Sequence, residues 1–172
     1  VEKLIKYGPR KERVELVINA TTMPGYCDEI QNRLKDYNYY VSYNPEFIAQ
    51  GTILKDQENP DMVLIGGRDD VSCKTLKDIY ENMCDNKPYI AEMNALSAEI
   101  TKLSLNCFLT TKISFANMIG DISEKVGGET NKILNAIGSD SRVGNKYLGY
   151  GYGYGGPCFP RDNKAISFIG NN

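Results

Sequence analysis

Up to Ala91 the chain alternates between short apolar runs and longer stretches of mixed character. Val14-Glu15-Leu16-Val17-Ile18-Asn19-Ala20 predicts a strand, Val41-Ser42-Tyr43 a second, Asp61-Met62-Val63-Leu64-Ile65 a third, and Pro88-Tyr89-Ile90-Ala91 a last edge strand. Tyr26 to Leu34 and Val71 to Met83 carry helical spacing between them. A helix over Val1 to Tyr7 is stopped by Gly8-Pro9, because glycine favours helix ends and proline cannot continue the hydrogen-bond ladder. Thr21 to Gly25, Asn44-Pro45-Glu46 and Gly66-Gly67 read as turns at strand ends. Strands that alternate with helices of these lengths predict part of an α/β layer structure.

The pattern changes at about Met93. Leu96, Ile100, Leu103, Phe108, Ile113, Ala116, Ile119 and Ile122 recur mostly at helical steps, with no proline up to Val126 and Gly120 as the one internal glycine. This predicts either one long helix or two with a break near Gly120. Unbroken, it spans about 50 Å at 1.5 Å per residue, which suits joining domains or pairing with a second chain. A shorter helix over Glu129 to Ile137 follows, then the tract Gly149 to Gly156, then a helix over Asp162 to Ile169. The division expected is residues 1–92 as an α/β domain and 93–172 as a helical domain that is incomplete at its C-terminal end.

Composition narrows the chemistry. An apolar share of 41% with 24% charged residues supports a folded core, and 20 Lys+Arg against 22 Asp+Glu supply no broad basic field for nucleic acid or anionic lipid. No apolar run is long enough to span a membrane, and Val1-Glu2-Lys3 does not open a signal peptide. The reading is a cytoplasmic chain without a membrane or nucleic-acid partner. Histidine is absent, which excludes Ser-His-Asp and Cys-His pairs and histidine-ligated metal within the chain. Any general base is therefore a carboxylate, a lysine or an ordered water. The five cysteines, at 27, 73, 84, 107 and 158, lack CxxC spacing, so neither a disulfide framework nor a metal site follows.

Three places carry candidate chemistry. Pro157-Cys158-Phe159-Pro160-Arg161-Asp162 follows the Gly/Tyr tract and joins a thiol to a cation and a helix-capping carboxylate. Such a turn is either a linker with an inert thiol or a site where backbone N–H groups and a helix N-terminus activate Cys158 as a nucleophile. Lys102 and Asn106 share a helix face, with Glu99 three residues before Lys102; this is either a solvated face or a pair of donors for a developing oxyanion. Glu46 lies in a proline-fixed strand-end turn, either as surface or as a general base.

Taken in order, these motifs resemble the UDP-glucose/GDP-mannose dehydrogenase family over essentially the whole chain. The resemblance rests on Thr21-Thr22-Met23-Pro24, on Tyr43 to Thr52, on Asn59 to Gly67, on Glu99 to Asn106, on Ser141 to Tyr147 and on Gly153 to Asp162. It implies the latter part of a Rossmann-like NAD-binding domain followed by an all-helical central dimerisation domain with a long helix. It also implies NAD-dependent oxidation of the C6 hydroxyl of a nucleotide sugar to a carboxylate through a thiohemiacetal and thioester on Cys158. UDP-glucose is the favoured substrate, with UDP-N-acetylhexosamine and GDP-mannose as alternatives; a non-catalytic dimerisation module is the alternative of another class. By the same resemblance Glu46, Lys102, Asn106, Asp162 and Thr22 assist catalysis, and Thr22, Gln50 and Arg161 meet NAD. Phe47, Lys102, Asn106, Arg142, Lys146, Tyr147, Tyr154 and Gly155 hold the sugar nucleotide, and the long helix forms a homodimer. Gln50, Pro157 and Arg161 depart from the family's usual Glu, Ser and Lys. No GxGxxG occurs, so the expectation is a segment without the first nucleotide-binding half or the C-terminal domain, and inactive alone.

Overall fold

The computed structural model describes residues 1–49 and 51–171. Its elements are α1 (Glu2–Lys6), β1 (Val14–Ile18), α2 (Tyr26–Leu34), β2 (Tyr39–Tyr43), α3 (Ile53–Glu58), β3 (Met62–Gly66), α4 (Asp70–Met83), β4 (Tyr89–Met93), α5 (Ala95–Val126), α6 (Thr130–Ser139) and α7 (Cys158–Gly170). The chain divides into two units, Val1–Lys102 and Leu103–Asn172, with the division inside α5.

In the first unit the strands lie in the order β1-β2-β3-β4. β1 and β2 are parallel with α2 as their crossover, and β3 and β4 are parallel with α4 as theirs. The two β-α-β pieces join antiparallel through one register pair, Tyr43 with Gly66. The described residues between them form a turn and the six-residue α3, and β3 runs back in the opposite direction. Side chains of successive strand residues point to opposite faces, and β3 shows this directly. Leu64 packs with Ile30 and Leu34 of α2, with Val41 and Tyr43, and with Ala95 and Ala98 at the start of α5. Val63 and Ile65 instead pack with Leu76 of α4. The sheet is therefore covered on both faces, which is why its strands read as apolar runs.

Two local features fix how the first unit closes. A Cβ on Gly66 would lie 2.8 Å from Ala98 Cβ and 2.9 Å from Ala95 Cα, so the end of β3 requires glycine for α5 to lie directly upon it. Arg13, just before β1, donates from Nη2 and Nη1 to the two carboxylate oxygens of Asp69 at 2.7 and 2.9 Å, and its guanidinium sits 3.7 Å above the Tyr40 ring. Asp69 in turn caps α4 by accepting the Ser72 backbone N–H at 2.9 Å. The α-helix missed from sequence is α3: Leu54 is exposed, so the helix has no apolar stripe to announce it. Its first turn is held by Asp56, which accepts from the Ala49 N–H and the Thr52 hydroxyl.

The second unit packs the later part of α5 with α6 and α7. Ala116, Leu134 and Leu148 form its buried centre, flanked by Ile119, Ile137 and Tyr150. α5 runs unbroken for 32 residues, so no interruption falls at Gly120. α7 begins at Cys158 rather than near Asp162. Pro160 does not prevent this, because N–H groups in the first helical turn have no ladder partner to lose. Among the described residues no helix is long and apolar enough to cross a membrane.

The Arg13–Asp69 pair generates a pH prediction. The Arg13 guanidinium holds the Asp69 carboxyl well below the usual carboxylate range. A depressed folded-state value means that the unfolded chain protonates first, so the stabilisation is complete above about pH 4 and is lost on further acidification toward the depressed value. Asp69→Asn keeps a capping side chain but removes the charge. Urea midpoints measured from neutral to acid pH should show the parent above the variant near neutrality, with the gap closing in acid. Solvent screening of the half-exposed pair keeps the gap small.

Candidate active site

In the first unit, the turn after β1 and the opening of α5 are joined by one carboxylate. Glu99 is fully buried, and its oxygens accept the Gly25 N–H at 2.6 Å, the Cys27 N–H at 2.8 Å and the Thr22 hydroxyl at 3.3 Å. A solvated helix face is thus ruled out for Glu99; it serves as a tertiary cap on the N-terminus of α2, where the helix dipole favours negative charge. Gly25 adopts the left-handed conformation, φ 93°, that the turn into α2 requires. Because a carboxylate only accepts, the Thr22 hydroxyl donates to Glu99.

One turn beyond Glu99, Lys102 is also buried. Its ammonium donates to the Glu46 carbonyl oxygen and lies 4.1 Å from the centre of the Phe47 ring. Lys102, Glu46 and Phe47 are therefore brought together, with the Glu46 side chain exposed. Asn44, which sequence reasoning did not single out, fixes this turn. It is buried, donates from Nδ2 to the Leu64 carbonyl at 2.9 Å, accepts the Tyr80 hydroxyl at 2.7 Å, and its carbonyl accepts the Asn19 side chain at 2.8 Å. Behind the turn lies a cavity of about 190 Å³ bordered by Pro45, Phe47, Gln57, Met62, Tyr80 and Met83. Gln50 lies outside the described residues.

In the second unit, Cys158 is the first residue of α7 and is exposed, at the positive end of the helix dipole. Asp162 does not cap this helix; it sits one turn in, fully buried, and accepts from Asn106 Nδ2 at 2.6 Å and from Arg161 Nε at 2.8 Å. The ring of Phe159, next to the thiol, meets the edges of Tyr147 and Tyr154 at centroid separations of 6.5 and 6.3 Å. Tyr147 holds a positive φ of 67°, uncommon for a bulky residue. Gly155 is exposed beside them, as is Lys146, and Arg142 is paired with Asp140 at 2.6 Å. The other thiols are less exposed than Cys158. Burial, reinforced by the Glu99 charge, pushes Cys27 far above the ordinary thiol range, and burial also raises Cys73, Cys84 and Cys107.

Comparison with known proteins identifies the family of the chain. The NAD binding domain of the UDP-glucose/GDP-mannose dehydrogenase family matches residues 2–84, and the central domain of the same family matches residues 96–172. The chain belongs to the UDP-glucose/GDP-mannose dehydrogenase family. It is 37% identical over 160 residues to UDP-glucose 6-dehydrogenase of Rickettsia bellii, an alignment that covers 91% of this chain and 37% of the relative. It is 36% identical over 164 residues to UDP-glucose 6-dehydrogenase 1 of Arabidopsis thaliana, covering 90% of this chain and 34% of the relative. The structure of a UDP-glucose dehydrogenase from Pyrobaculum islandicum is similar with a TM-score of 0.85 at 33% identity, over 93% of this chain and 38% of that one. The chain thus spans a little over a third of the length of the relatives it matches. Its architecture is the latter part of the family's Rossmann-like domain followed by helices of the central domain.

The matched domain indicates NAD, and the residues present fit part of that cofactor. The carboxyl ends of the parallel strands β1 and β2 open at the turns holding Thr22 and Glu46, where α/β sheets bind their ligands. The Thr22 hydroxyl, its proton given to Glu99, keeps lone pairs that suit an amide N–H such as that of a nicotinamide. The N-terminus of α2 does not suit the pyrophosphate, because Glu99 already takes its Gly25 and Cys27 N–H groups.

The thiol inventory gives a direct prediction. Iodoacetamide should alkylate Cys158 first, with Cys27 the slowest, because reaction requires an accessible thiolate. Peptide mass spectrometry over a time course checks the order; equal labelling of all five thiols would contradict it.

Proposed function

We propose that this chain supplies the second part of the NAD-binding domain, residues 1–92, and the catalytic central region, 93–172, of an NAD-dependent nucleotide-sugar 6-dehydrogenase. The substrate is UDP-glucose and the product UDP-glucuronate; the setting is cytoplasmic. The observation that carries this reading is the exposed Cys158 thiol at the first residue of α7, one turn from a buried Asp162 held by Asn106. Support for the sugar nucleotide comes from relatives named UDP-glucose 6-dehydrogenase.

Bound NAD would supply hydride acceptance, twice per turnover; Thr22 and Arg161, with Gln50, would hold it. The first oxidation converts the C6 alcohol to an aldehyde. The Cys158 thiolate then adds to the carbonyl carbon, forming a C–S bond, and the oxygen takes up a proton to give a thiohemiacetal. Loss of the second hydride and of the hydroxyl proton leaves a thioester. Water attacks that carbon, the C–S bond breaks, and the acid and the free thiol are released. As the family resemblance implies, Glu46 takes the proton from water, with Asp162 and Thr22 ordering that water. The Lys102 ammonium and the Asn106 carboxamide stabilise the oxyanions. Phe47, Lys102, Asn106, Arg142, Lys146, Tyr147, Tyr154 and Gly155 hold the sugar nucleotide. The exposed apolar residues of α5, Phe108, Met118, Ile122 and Val126, form the homodimer contact of the proposal.

The test uses the complete dehydrogenase with NAD and UDP-glucose, with GDP-mannose and UDP-N-acetylhexosamines as comparison substrates. Cys158→Ser should largely abolish NADH formation, since a hydroxyl is far less ionised than a thiol near neutrality. Lys102→Ala should lower kcat by roughly 10²–10³ if it equals one strong oxyanion donor. Glu46→Gln should accumulate a sugar adduct on Cys158, visible by intact mass. Near-parental turnover by Cys158→Ser, or an adduct on another residue, would overturn the proposal.

A further inference from the structure

The segment that leads to Cys158 is fastened to α5 at three successive points. Lys112 donates from Nζ to the carbonyls of Val143 at 3.0 Å and Gly144 at 3.1 Å. Asn117 uses both ends of its carboxamide: Oδ1 accepts the Gly151 N–H at 3.0 Å, and Nδ2 donates to the Tyr152 carbonyl at 3.4 Å. Tyr150 lies flat across the helix at Gly120, where a Cβ would fall 1.9 Å from its Cδ2, and its hydroxyl donates to Asp121 at 3.3 Å. The glycine is thus the groove that the aromatic ring fills, not a weak point of the helix. The same segment touches the thiol's neighbour, since Tyr147 and Tyr154 flank the Phe159 ring.

We propose that Asn117 and Gly120 are positioning residues of the reaction: by clasping Tyr150 to Tyr152 against α5 they set the Gly/Tyr segment, and through its contacts with Phe159 the approach to Cys158. This rests on the function proposed above and adds two residues that lie outside its catalytic and sugar-binding set. The physical reason is that a glycine-rich segment loses much conformational freedom on ordering. A loop of alternating Gly and Tyr has little secondary structure to hold it, so a few side-chain anchors decide its position. Asn117 is suited to this because one carboxamide satisfies both a donor and an acceptor of the loop backbone.

The experiment compares Asn117→Ala, Asn117→Asp and Gly120→Ala in the complete dehydrogenase, by steady-state kinetics with NAD and UDP-glucose and by hydrogen exchange with mass spectrometry. Asn117→Ala should raise the KM for UDP-glucose roughly three- to tenfold, the loss expected for one or two net hydrogen bonds. The KM for NAD should stay within a factor of about two, since its pyrophosphate is held elsewhere. Asn117→Asp keeps the acceptor for the Gly151 N–H but opposes an oxygen to the Tyr152 carbonyl, so it should recover part of the loss. Gly120→Ala should act in the same direction although alanine is the better helix former, so a defect there cannot come from helix propensity. Exchange should quicken in peptides spanning 149–156 and not in the first unit. An unchanged KM for UDP-glucose in active Asn117→Ala and Gly120→Ala enzymes would overturn the clasp, as would equal shifts for both substrates without rescue by aspartate. If the parent itself oxidises no nucleotide sugar, the proposed function fails separately. The exchange arm then decides the clasp: faster exchange at 149–156 in Asn117→Ala upholds it, and unchanged protection overturns it.

Discussion

The buried carboxylate of Glu99 is the constraint on which the candidate residues of the first unit depend. A charged oxygen pair removed from water is costly unless its lone pairs are filled. Here they are filled by two backbone N–H groups at the opening of α2 and by the Thr22 hydroxyl. The same contact fixes the rotation of α5 about its axis. Ala95 and Ala98 then lie on the bare backbone of Gly66, and Lys102, one turn on, reaches the Glu46 carbonyl and the Phe47 ring. A single carboxylate thus sets the hydroxyl of Thr22, the entry of α2 and the register that delivers a buried ammonium.

Much of the fold was legible because the forces that build it are periodic or local. Strands covered on both faces read as apolar runs, and α5 announced itself by its spacing and lack of proline. The parts that escaped depend on partners far away in sequence. Glu99 looks like the polar edge of a helix until Thr22, Gly25 and Cys27, 72 to 77 residues earlier, are folded against it. Asn44 reads as a turn residue, and only the arrival of Leu64 and Tyr80 makes it a buried hub. Gly120 reads as a flaw in a helix because its justification, Tyr150, sits 30 residues downstream in a tract that resembles a linker. The start of α7 escaped for a different reason: Pro160 suggests a break, but in the first turn it costs no hydrogen bond.

The candidate site was legible to a different depth from residue to residue. Motif order singled out Cys158, Lys102, Asn106, Asp162 and Glu46 as candidates, and the structure pairs Lys102 with the Glu46–Phe47 turn and Asn106 with Asp162. It did not reveal that Asp162 is a buried acceptor and not a cap, nor that the Thr22 hydroxyl is held by a buried carboxylate. Such orientations follow from hydrogen-bond polarity, which no one-dimensional pattern records. In the function proposed above they decide what a ligand brings: a donor to Thr22, and an electrophilic carbon to Cys158.

The claim that Glu99 organises this region is tested most directly by the unfolding free energy of Glu99→Gln relative to the parent, measured with urea. A glutamine fills the same space but turns one acceptor into a donor that faces a backbone N–H or the Thr22 hydroxyl, leaving buried donors opposed. The account predicts a loss of about 1–3 kcal/mol, the cost of an unsatisfied buried polar group. A change within about 0.5 kcal/mol, the value expected of a substitution on a solvated helix face, would contradict it.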